Sequence, residues 1–77
     1  MERFDRLFAQ GARCGHLEAR CNTEDPRTMK ELASAASWAN ANPGRDRIYW
    51  KLGYECGFSL ATSGEPLPDL YKNAELP

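Results

Sequence analysis

Two glycine pairs constrain this 77-residue chain more than any other feature: Gly11/Gly15 and Gly53/Gly57, each at i, i+4. Each pair sits in a segment that otherwise reads as amphipathic helix. A glycine inside a helix costs about 0.8–1 kcal/mol relative to alanine, so four of them need a physical reason. Close approach supplies one, because a helix without side chains at i and i+4 lets another backbone lie directly on it. The expected fold class is therefore all-α, a compact three-helix mini-domain whose glycine-bearing first and third helices pair antiparallel.

The apolar periodicity places the helices. Phe4, Phe8, Gly11, Ala12, Gly15 and Ala19 form one stripe over about 2–21, with Leu7, Cys14 and Cys21 on its flank. Asn22-Thr23-Glu24-Asp25-Pro26 breaks it. Asp25-Pro26 is a good cap and first-turn pair, and Thr28 to Glu31 offers a capping box, so a second helix starts within 26–29 and runs to about 41. Its expected core face is thin: Met29, Leu32, Ala33, Ala36 and Ala39. Asn42 or Asp46 then caps a third helix over about 45–62. There Ile48, Tyr49, Leu52, Gly53, Cys56 and Leu60 share one face, while Trp50, Tyr54 and Phe58 line another. The prolines at 66 and 68 end regular helix. Residues 1–62 thus form the domain and 63–77 an irregular tail, held on the body by Leu67, Leu70, Tyr71 and Leu76.

Composition narrows the function classes. A net charge of −1 gives no global drive toward nucleic acid or anionic membrane. The longest uncharged stretch, 32–44, is too short and too polar to span a bilayer. The first residues lack the order of a signal peptide, so the expected location is cytoplasmic, with Cys14, Cys21 and Cys56 as reduced thiols. No cofactor signature is present. Cys14, His16, Cys21 and Cys56 are the right number of zinc ligands, but Cys14 and Cys21 lie two helical turns apart, roughly 10 Å, and no Cys-x-x-Cys knuckle exists. His16 falls on the polar side of helix 1 with no nucleophile assignable to it. Glu24 and Asp25 need only a capping role. The expectation is a protein that is not an enzyme and binds no metal.

Two surfaces remain for a partner. Arg6, Arg13 and Arg20 make a basic ridge at heptad spacing, whose alternative is a solvated face paired with Glu2, Asp5 or Glu18. Trp50 and Tyr54 head an aromatic line that either packs in the core or stays open, and Trp38 projects away from Leu32 and Ala36, leaving it for the tail or a partner. The first functional expectation is a protein-binding module that occupies a site on a larger protein, as inhibitor or adaptor. In size and style, with no motif behind the analogy, it is similar to small phage and mobile-element inhibitors such as anti-CRISPR proteins. A second follows from Gly11-Ala-Arg-Cys-Gly15 and Trp50-Lys-Leu-Gly53-Tyr54, which resemble the glycine-spaced helices of bacterial ribosome modulation factors over less than a third of the chain. That resemblance implies an RNA- or ribosome-associated factor using the arginine ridge, although the family's strong basicity is missing. The third is self-association through glycine or aromatic faces. Nucleic acid ranks below protein as a partner, and a membrane is not expected.

Overall fold

The computed structural model describes residues 3–20 and 26–72, apart from the side chain of Thr28. It contains α1 (Arg3–Ala19), α2 (Pro26–Ala41), α3 (Arg45–Thr62) and a single turn, α4 (Asp69–Lys72). The all-α, three-helix expectation holds, and the helix limits fall within a residue or two of those read from periodicity. Met1, Glu2, Cys21, Glu24, Asp25 and Leu76 lie outside the described residues.

The core of the fold is the contact of α1 with α3. All four glycines point at the backbone of the opposite helix. A Cβ added at Gly11 would sit 2.8 Å from the Trp50 carbonyl carbon, and one at Gly15 would sit 2.7 Å from that of Tyr54. In return, a Cβ added at Gly53 would sit 2.7 Å from the Phe8 carbonyl carbon, and one at Gly57 2.6 Å from that of Ala12. Real Cβ atoms essentially never come that close. What occupies the place of each missing Cβ is a glycine Hα aimed at a carbonyl oxygen, the Cα–H···O contact found where helices touch.

The register of these contacts corrects the expected orientation. Residues 8, 11, 12 and 15 of α1 meet 53, 50, 57 and 54 of α3, so both chains advance together and the helices are parallel. Phe4 stacked on Tyr49 at 4.5 Å and Arg3 paired with Asp46 lie at their common N-terminal end. The contacts are also two-fold related: the carbonyl residues 8 and 12 correspond to 50 and 54, and glycines 11 and 15 to 53 and 57, each 42 positions on. A parallel pair obliges the chain to travel back between its members. At about 1.5 Å per residue, α1 is about 25 Å long and α2 about 24 Å, so α2 is the return strut.

That role explains why α2 packs thinly, and in an unexpected orientation. Among its described side chains, Ala35 and Ala39 are buried and Trp38 half-buried, whereas Met29, Ala33 and Ala36 are exposed. The helix is rotated by roughly 100°, one residue's worth, from the face that alanine and methionine periodicity indicates. Trp38 packs against Trp50 at 6.4 Å, and Glu31 reaches Arg13 at 2.6 Å. These two contacts bury more and pair more than the Met29/Ala33/Ala36 face offers.

The helix ends follow local chemistry. Asn42 donates from Nδ2 to the Trp38 carbonyl at 2.8 Å, finishing α2 rather than starting α3. Gly44, at φ 91°, precedes α3, and no side chain caps it. At the other end, the Gly64 N–H bonds to the Ala61 carbonyl at 3.0 Å and the Glu65 N–H to that of Leu60 at 2.8 Å. This is the Schellman arrangement, and the φ of 75° at Gly64 is what it requires. The tail then folds back on α1: Leu67 is buried and Tyr71 meets Phe8 edge-on at 6.0 Å. Leu70, expected to help hold it, is 67% exposed.

Candidate binding trough

Because α2 turns its Trp38 edge inward, its small residues stand open beside the α1/α3 pair. Met29, Leu32, Ala33 and Ala36 form one wall of a groove of about 520 Å³. Cys14, Trp50 and Tyr54 form the floor. A second hollow of about 270 Å³ shares Glu18, Ala36, Trp50 and Tyr54 with the first, so the two make one trough along the aromatic line. Its margins carry Glu18 on α1 and Arg47 and Lys51 on α3.

The floor is held rigidly from beneath. Trp50 is 9% exposed, and its indole Nε1–H donates to Gln10 Oε1. Gln10 in turn donates from Nε2 to Cys14 Sγ at 3.2 Å. A buried indole needs such a partner, since an orphaned polar group costs about 1–3 kcal/mol. Above Trp50 the rings continue as a ladder, Tyr54 at 5.5 Å and Phe58 a further 6.3 Å on. Exposure rises along it, from buried Trp50 through half-buried Tyr54 to exposed Phe58. Burial pushes the Cys14 thiol up to about 11 despite the Gln10 hydrogen bond, so Cys14 contributes a neutral patch of the floor and no nucleophile.

The expected partner residues are thus sorted by the fold. Tyr54 is in the trough and half accessible. Trp50 is a core residue whose face the trough only grazes, and Trp38 packs on Trp50. Sequence reasoning missed Met29, Leu32, Ala33 and Ala36 as lining residues because it assigned them to the core. The arginine ridge is interrupted: Arg6 and Arg20 are exposed, but Arg13 is bridged to Glu31 on α2, a partner from a different helix than those anticipated. His16 is not on a solvated side. It is 4% exposed and its Nε2–H donates to the Glu65 carbonyl at 2.9 Å, tying the tail to α1.

Among the described residues, no three His, Cys, Asp or Glu side chains gather closely enough to hold a metal ion, and no helix is long and apolar enough to cross a membrane. No protein family, characterised protein or solved structure matches this chain.

Proposed function

We propose that this protein is a small non-enzymatic binding module, an inhibitor or adaptor of the phage-regulator type, that acts by engaging a larger protein in the cytoplasm. One observation carries the reading: an apolar trough of about 520 Å³ lies open over half-buried Tyr54, with buried Trp50 at its base. Amphipathic helices seat their apolar faces in grooves of this kind, and Trp and Tyr dominate binding energy where they are fixed in place beforehand. The Gln10–Trp50 hydrogen bond provides that fixing.

The trough also dictates which variants test the reading. Alanine at Trp50 would strip a buried, hydrogen-bonded indole and damage the fold. Met29→Arg and Ala36→Arg instead alter exposed positions on the trough wall. Both are expected to keep the helical circular dichroism and melting point of the parent while weakening capture of a native-host partner by about 30-fold or more, the cost of spoiling a 2 kcal/mol hot spot. Normal capture by both variants would remove the proposal.

A second surface supports self-association. Ile48 and Leu52 are 58% and 50% exposed, next to the half-open Phe4–Tyr49 stack. Sedimentation at two concentrations reads this directly: a mass that rises with concentration and reverts to monomer in Leu52→Glu supports it, and a constant monomer excludes it. The RNA- or ribosome-associated reading has less support, since one of its three arginines is already bridged.

A further inference from the structure

The C-terminal end of the arginine ridge is a cleft rather than an open face, and it is separate from the trough. α1 supplies Arg13, His16, Leu17 and Arg20 to it. Glu31 of α2 closes one side, and Pro66, Leu67 and Lys72 close the other, around a space of about 260 Å³. The wall formed by the tail is fixed by the His16–Glu65 hydrogen bond and by burial of Leu67.

Its charges are unequal in availability. Arg13 and Glu31, each about one-third exposed, are bridged at 2.6 Å and cancel. Lys72 bonds Asp69 at 3.0 Å, but that carboxylate is 95% exposed, and so solvated a pair adds little and is readily exchanged for a better anion. Arg20 makes no ion pair among the described residues. Two positive charges, a guanidinium fork and an ammonium, are therefore on offer beside the apolar surface of Leu17, Pro66 and Leu67.

We propose that this cleft binds a phosphate monoester dianion, with Arg20 and Lys72 on the phosphoryl oxygens and the organic substituent against Leu17 and Leu67. A phosphate monoester carries about −1.5 to −2 charges at pH 7 and three acceptor oxygens, matching the two cations in charge and the guanidinium fork in geometry. A carboxylate supplies half the charge. Space is sufficient, since an apolar cavity of about 150 Å³ already admits benzene.

Phenyl phosphate is the direct probe, titrated into the 15N-labelled full chain at constant ionic strength and followed by amide shifts. Saturable shifts at His16, Arg20, Leu67 and Lys72 are expected. Affinity should fall at least about tenfold in Arg20→Gln and in Lys72→Gln, and stay unchanged in Arg6→Gln, which lies on the same ridge outside the cleft. All three side chains are exposed, so the variants should fold, and circular dichroism verifies it. Non-saturating shifts, equal weakening by Arg6→Gln, or benzoate binding as tightly as phenyl phosphate would each overturn the proposal. So would tight, salt-dependent binding of a single-stranded RNA oligonucleotide without binding of phenyl phosphate, which would assign the arginines to a nucleic acid backbone.

Discussion

Alanine in place of a mid-helix glycine normally stabilises a helix by about 0.8–1 kcal/mol. At Gly11, Gly15, Gly53 and Gly57 the sign reverses, because a Cβ there overlaps a backbone carbonyl that no rotamer can move. Gly15→Ala and Gly57→Ala are each expected to lose about 3 kcal/mol or more, at or beyond the upper end of ordinary overpacking, whereas Ser59→Ala on the exposed face of α3 should stay within about 0.5 kcal/mol. Urea denaturation reads both. A second residue-scale consequence concerns Cys14. Its thiol is raised from 9.0 to about 11 by burial, so the folded state holds the proton more tightly than the unfolded one. That contribution is fully present below pH 9 and is lost as pH rises through 11, amounting to about 2–3 kcal/mol. Wild type should therefore lose stability relative to Cys14→Ala across pH 9–11, and a parallel pH profile for the two proteins would contradict it. The glycine contact was legible in sequence because nothing else explains four helix-weakening residues. The inward turn of Gln10 and His16 was not. Each is buried only because a specific acceptor or donor, the Glu65 carbonyl or the Trp50 indole, arrives from more than 35 positions away.

Among the elements, α2 behaves differently from its neighbours. Existence and limits of all three long helices were readable from apolar period and from the turn residues around 26 and 43, but the face of α2 was not. A helix whose apolar residues are mostly alanine has little energetic preference between faces, so a single Trp38–Trp50 contact and one Arg13–Glu31 pair decide its rotation. The same thinness predicts its dynamics. With Ala35 and Ala39 the buried side chains among its described residues, α2 should open locally at lower free energy than the glycine-locked pair. Hydrogen exchange is expected to be faster throughout 30–40 than at 8–15 or 50–57, and equal protection in all three helices would show that the strut is held by more than these contacts. The open trough and the loosely held wall are one property seen twice, since both come from α2 spanning a distance rather than filling a core.

For the molecule as a whole, direction was the quantity that glycine spacing could not reveal. An i, i+4 pair looks the same to a parallel and to an antiparallel partner. Chain connectivity decides it: with short links, a third helix that returns to the first after one intervening helix runs the same way. The resulting two-fold arrangement of carbonyls and glycines has an electrical consequence. α1 and α3 point their macrodipoles in one direction, placing two half-positive helix starts side by side at a single pole. Asp5 and Asp46 lie in those first turns, and Asp46 also pairs with Arg3 of the neighbouring helix. Asp46 is half-buried, so Asp46→Asn should cost about 1 kcal/mol, within what an acid contributes at a helix start, and the loss should shrink in 1 M salt. A loss under 0.3 kcal/mol in thermal denaturation would count against shared stabilisation.

Side-by-side alignment of that kind leaves a small, nearly neutral protein with a permanent polarity. One pole collects the amide ends of α1 and α3 and the opposite pole their carbonyl ends, with α2 opposing them. A charged surface approaching this molecule would meet an oriented object, turned by its own field before any side chain made contact.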